Sequence, residues 1–197
     1  IRSLINRYSD HIGFPIQLLT EVAAEPSTES EGDAADGAEE SSVEGRKEWE
    51  QVNKATALWA LPKSEVSDEE YKEFYKYLTH DLEDPLCWAH NKVEGTQSYT
   101  TLLYSPKKAP MDLMLQREER NGLRLYVNRV FIMDGAQALL PQYLRFIRGV
   151  VDSQDLPLNV SRELLQENEL VAKIRAAVIR RSLDMIGRLS RDDAETY

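Results

Sequence analysis

Arg162 and Gln166 are the two side chains whose types and spacing best suit contact with a phosphate. They lie in LPLNVSRELLQ (156–166), four residues apart, and so share one face of any helix that begins there. Pro157 ends the preceding strand, and Asn159 or Ser161 can cap the helix. A cation in a first helical turn is mildly unfavourable, because the exposed backbone N–H groups already carry positive charge. A guanidinium, an amide and a helix N-terminus aimed the same way nevertheless suit an anion. The arginine offers bidentate charge-assisted bonds, the glutamine neutral ones, and the dipole lies behind both. Spacing alone leaves two readings open: a solvated Arg162 paired with Glu163 or Glu167, or an Arg162 that an anion comes to meet.

A second group tests metal chemistry. Cys87-x-x-His90, with His80, Asp81 and Asp84 nearby, supplies thiolate, imidazole and carboxylate donors, which would suit a metal-dependent enzyme. Structural zinc commonly takes two close pairs of ligands, and no second pair exists. The simpler reading of Cys87 is a small buried hydrophobe beside Trp88, so no metal is expected. The chain also lacks G-x-S-x-G, G-x-x-x-x-G-K-[ST] and G-x-G-x-x-G. It therefore carries no recognisable nucleophile elbow or nucleotide cradle.

Elements must position these residues. Ile1, Leu4, Ile5, Tyr8 and Ile12 fall at helical spacing, which predicts a helix entering the domain. FPIQLLTEV (14–22) and RKEWEQVN (46–53) read as two hairpin strands. Between them, 23–45 is Ala, Gly, Ser and acid, too poor in apolar side chains to repay its ordering entropy, and reads as a disordered insertion. SDEEYKEFYKYL (67–78) predicts the clearest helix, with a Ser67–Glu70 capping box and Tyr71, Phe74, Tyr75 and Leu78 on one face. QSYTTLLYSP (97–106) reads as a strand and GLRLYVNRVFIMD (122–134) as one or two more. YLRFIRGVVDS (143–153) passes from a helical turn into a strand. A long helix over 169–190 takes Leu170, Ile174, Val178, Leu183, Ile186 and Leu189 as its apolar face. This order predicts a mixed sheet covered by helices.

Charge narrows the partners. The net charge is −10, but nine acidic residues and no Lys or Arg lie between Glu21 and Gly45. The rest of the chain carries 25 acidic against 24 basic residues, so no basic stripe points to nucleic acid. No apolar run is long enough to span a membrane. A single cysteine suits a reducing compartment. The start on Ile1, with no signal-peptide core, suggests an excised fragment of a longer, cytoplasmic protein.

Five segments carry a wider resemblance: ALWALPKSEV (57–66), DEEYKEFYKYLTHD (68–81), LYSPKKAPMDL (103–113), LRLYVNRVFIMD (123–134) and YLRFIRGVVDSQDLPLNVSRELLQ (143–166). Together they resemble the middle domain of the heat shock protein 90 chaperone family, most closely its bacterial branch. The resemblance implies an α/β (α+β) fold, a three-layer α/β/α sandwich with a mixed sheet followed by a C-terminal helical segment. It divides the chain into the larger α/β/α part at 1–158 and the catalytic-loop helix with its helical extension at 159–197.

The resemblance also implies a role. ATP with Mg is held by a separate N-terminal domain of the same protein, and none is bound by this segment. Arg162 matches the arginine that contacts the γ-phosphate and Gln166 its supporting glutamine, with Asn159 and Ser161 in the same loop. An arginine delivered from another domain stabilises charge developing on the γ-phosphate oxygens. Met111, where the family usually has Phe or Trp, together with Leu156 and Leu158, is expected to make interdomain contacts. Trp59 matches a tryptophan associated with client proteins, which requires it to be exposed; the other reading is a core tryptophan. Expected partners are that N-terminal domain, unfolded or partly folded clients, possible cochaperones, and a second copy joined through an absent C-terminal domain. The full-length protein is expected to be an ATPase and this segment alone not. The alternative is a non-catalytic protein–protein interaction module.

Overall fold

A computed structural model describes residues 1–22, 46–108, 122–158 and 168–193. Its elements are helix α1 (Arg2–Tyr8), strands β1 (Gln17–Val22) and β2 (Arg46–Gln51), helix α2 (Asp68–Thr79) and strands β3 (Cys87–Val93) and β4 (Tyr99–Ser105). Strands β5 (Leu123–Val127), β6 (Val130–Met133) and β7 (Arg148–Ser153) and helix α3 (Glu169–Asp192) follow. β1 and β2 form an antiparallel two-stranded ribbon; the others form a mixed sheet in the order β3-β4-β7-β5-β6. Among the described strands, only β5 and β7 run parallel.

The three-layer sandwich follows from which strands are covered on both faces. Every residue of β4 and β7 is buried, as central strands between two helical layers should be. On one face Leu102, Tyr104, Tyr126 and Val150 pack against Trp59 and the aromatic stripe of α2. On the other, Leu103, Leu123, Leu125, Val127 and Val151 pack against α3. Each large side chain on these strands removes about 1.5–3 kcal/mol worth of apolar surface from water, so the two helical layers hold the sheet by both sides.

Local chemistry explains the element boundaries. The Ser67 side chain accepts from Glu70 N while the Glu70 carboxylate accepts from Ser67 N, so the capping box is complete. α2 ends where His80 turns left-handed at φ 58°. β5 and β6 are joined through Asn128 and Arg129, both at positive φ (50° and 66°), the backbone that a tight two-residue hairpin demands.

Two expectations need correction, and one strand was not foreseen. The buried stripe of α3 is Val171, Ile174, Val178, Ser182 and Met185, whereas Leu183 is 48% exposed. Passing from Val178 to Leu183 is a step of five, which leaves the helical face; the observed stripe keeps steps of three and four. α1 forms, but none of its residues is buried: Ile1 and Leu4 lie in solvent, and only Tyr8 finds an aromatic neighbour, Phe131, at 6.0 Å. Residues 87–93, which the sequence reading assigns to no element, form a strand.

Candidate functional site

β7 is the central strand, and the segment expected to carry Arg162 leaves from its C-terminal end. The exit is held on both sides. Gln154 N donates to Ser98 O at 3.0 Å, and Asn128 N to Ser153 O at 3.1 Å. Ser98 N donates to Asp155 Oδ2 at 2.6 Å. Ser153 Oγ accepts from both Asp155 N and Leu156 N at 3.3 Å, and Leu156 sinks into the core at 3% exposure. Leu158 is then 58% exposed. The chain is described again from Asn168, whose side chain accepts from Leu170 N at 2.8 Å and caps α3. Asn159, Ser161, Arg162 and Gln166 lie between these anchors, outside the described residues, as does Met111.

A buried carboxylate lies just before that exit. Asp152 accepts from Trp59 Nε1 at 2.8 Å on one oxygen and from Arg129 N at 3.2 Å on the other. Burial raises its pKa, and the two hydrogen bonds partly oppose that rise. Register places Lys92 opposite Thr100 and Thr100 opposite Asp152, so the three form a polar row across adjacent strands. This row floors a cleft of about 420 Å³ with Arg129 and Gln154 at its side.

Trp59 is therefore not the exposed side chain that client contact requires. It is 1% exposed, and its indole N–H is committed to Asp152. His90 sits beside it. The Trp59 carbonyl can only accept, so His90 Nε2 donates to it (2.9 Å), and Nδ1 accepts from the Tyr71 hydroxyl (2.7 Å). Burial lowers the pKa of His90 below the ordinary imidazole value, and this network suits the neutral ring. Leu156, expected at an interdomain surface, is likewise a core residue; Leu158 remains available.

Cys87 and His90 are three apart on a strand, so they face opposite sides of the sheet. Cys87 packs on the α3 side while His90 joins Tyr71 and Trp59 on the α2 side. Burial also pushes the Cys87 thiol pKa up. Among the described residues, no three of His, Cys, Asp and Glu are grouped to hold a metal ion. No described helix is long and apolar enough to cross a membrane.

The family model described as Hsp90 protein matches residues 24–197. The chain belongs to the heat shock protein 90 family. Among relatives of this Hsp90-family chain, chaperone protein HtpG of Actinobacillus succinogenes is 53% identical over 197 residues, covering 100% of this chain and 29% of that protein. HtpG of Pasteurella multocida is 52% identical over 200 residues, again covering 100% and 29%. The fold is similar to the middle domain of a Plasmodium falciparum heat shock protein: TM-score 0.62, 30% identity, 71% of this chain and 53% of that one. The segment is thus an HtpG-like middle-domain portion of the Hsp90 family, as its five resembling segments implied. It spans about 29% of the length of these HtpG relatives.

The Asp152–Trp59 pair escaped sequence reading. Its signal was an aspartate inside the apolar run GVVDS (149–153), since a charge on a central strand needs committed partners.

Proposed function

We propose that this segment works within an ATP-driven chaperone, presenting Arg162 to the γ-phosphate of ATP held by the N-terminal domain of the same protein, with Gln166 supporting it. The observation that carries the reading is the match of 143–166 to the family's middle domain, combined with the firmly held exit of β7. A strand fixed through Leu156 on one side, and a capped helix at Asn168 on the other, limit where the intervening residues can reach. Such anchoring supports an arginine that must arrive in one geometry. Mg-bound ATP supplies the phosphoanhydride; this chain's part is to stabilise charge on it and to tie hydrolysis to domain closure. Clients, cochaperones and a second copy of the protein are the partners of the whole assembly in this reading.

In the full-length protein, Arg162→Ala is expected to lower ATP turnover by on the order of 100-fold or more, with nucleotide affinity nearly unchanged. Steady-state ATPase and nucleotide titration measure the two. Unchanged turnover would sink the role, and a fall that merely tracks a lower melting temperature would favour the interaction-module reading. That second reading has its own support in the apolar side chains left in solvent: Ile1, Phe14, and the cross-strand pair Leu19 and Trp49 are 49–84% exposed.

A further inference from the structure

A groove of about 420 Å³ runs along the outer side of β3, between α2 and α3. Five consecutive residues of the strand, Cys87 through Asn91, line it. Successive side chains on a strand point to opposite faces, so a cavity touching all five meets the strand edge-on. Among the described strands β3 is the outermost, with β4 as its single neighbour.

The direction of its main-chain groups follows from the neighbouring bonds. Gln154 N donates to Ser98 O, so Ser98 faces β7; Leu86 N donates to Ser105 O, so Ser105 faces β3. Alternation along an antiparallel strand then turns the odd-numbered residues of β4 toward β3. Cys87 lies opposite Ser105 and Ala89 opposite Leu103, so the odd-numbered residues of β3 pair inward. Trp88, His90 and Lys92 turn their N–H and C=O groups outward. Among the described residues, no hydrogen bond from outside the sheet reaches those groups.

We propose that the edge of β3 is a strand-addition site, taking an extended segment of a partly unfolded polypeptide as one further strand of the sheet. Outward main-chain donors and acceptors repeating every second residue are complementary to another extended main chain. The apolar parts of the walls, Val66 and Trp88 on one side and Met185 and Leu189 on the other, accommodate alternate side chains of such a segment. The charges around it balance, with Lys63, Arg181 and Arg188 against Asp68, Asp184 and Asp192. The groove therefore favours a mixed peptide over a polyanion. An open edge usually invites aggregation; here the two helical walls restrict access to a single narrow chain. The nature of the partner rests on the chaperone reading above, whereas the site itself rests on the edge geometry.

The test uses a short soluble peptide alternating valine and threonine, titrated into the 197-residue chain with amide exchange followed by NMR. Binding is expected to slow exchange at Trp88, His90 and Lys92 and to leave Cys87, Ala89 and Asn91 as they were. Peptides N-methylated at every second residue, in each of the two phases, provide the decisive comparison. The phase that blocks bonds toward β3 should bind roughly tenfold or more weakly, and the other phase normally. Lys92→Pro, which removes one outward N–H, should also weaken binding. No binding, equal affinity of the two phases, or saturation without protection of the three outward amides overturns the proposal. No nucleotide is present, so failure here is distinct from failure of the Arg162 turnover test.

Discussion

Trp59 is held between two imidazoles whose protonation the fold resists. His11 meets its ring edge-on at 4.8 Å and bonds the Thr56 carbonyl through Nδ1 at 2.9 Å; His90 donates to its carbonyl. Burial, the largest cause, lowers both pKa values below 6.5, although Asp10 and the Thr56 carbonyl pull His11 the other way. The unfolded chain takes up protons near pH 6.5 that the folded chain refuses, so stability falls as pH drops through that value toward the folded pKa values. Asp152 has the opposite sign: its raised pKa costs stability where it is ionised and relieves that cost at lower pH. Urea unfolding at pH 7.5 and 5.5 should show the loss, and His11→Gln should shrink it; a pH-independent midpoint would contradict this account. None of this was legible in ALWALP. A lone tryptophan in a short 3-10 turn has no periodic neighbours to mark its inner side, and only the carboxylate ninety-three residues away gives its indole N–H a partner.

Legibility was greatest for elements with a strong repeat. α2 has a capping box and four buried residues at helical spacing, so local and tertiary preferences agree there. β3 was missed because CWAHNKV mixes small, aromatic and charged residues, as an edge strand with one open side can. The phase of α3 was misjudged at Leu183, five residues beyond Val178, where Ser182 and Met185 continue the buried stripe and Ile186 packs at its edge. The sheet also depends on a feature with little sequence signal, Gly149. Its φ is 148°, and a Cβ there would lie 2.0 Å from the Leu102 carbonyl oxygen. Because both neighbours are backbone of central strands, neither can move aside. Gly149→Ala should therefore destabilise the chain by on the order of 3 kcal/mol or more, measured by denaturant unfolding. A cost below about 1 kcal/mol, no more than a typical substitution, would show that the two strands are more loosely apposed.

At the scale of the whole molecule, stability should divide into two tiers. The five-stranded sheet has a helical layer on each face, while the β1–β2 ribbon has two strands, and its described side chains are exposed or half-buried. An isolated two-stranded ribbon is marginal in water. Amides of β1 and β2 should exchange well before those of β4 and β7; equal protection would mean that the ribbon shares the cooperative unit. Of the candidate site, Arg162 rests on family resemblance and lies outside the described residues, while the buried groups that hold the exit of β7 emerged only from register and packing.

The ribbon has one further consequence. Val22 and Arg46 are paired partners at the end of its ladder, so the residues between them begin and end at neighbouring points. Whatever that interval contains, its two ends meet a boundary condition set by strand pairing alone. Doubling its length would change the closure free energy by only about 0.6 kcal/mol. The strands thus bring both ends of the acidic stretch to one point of the ribbon.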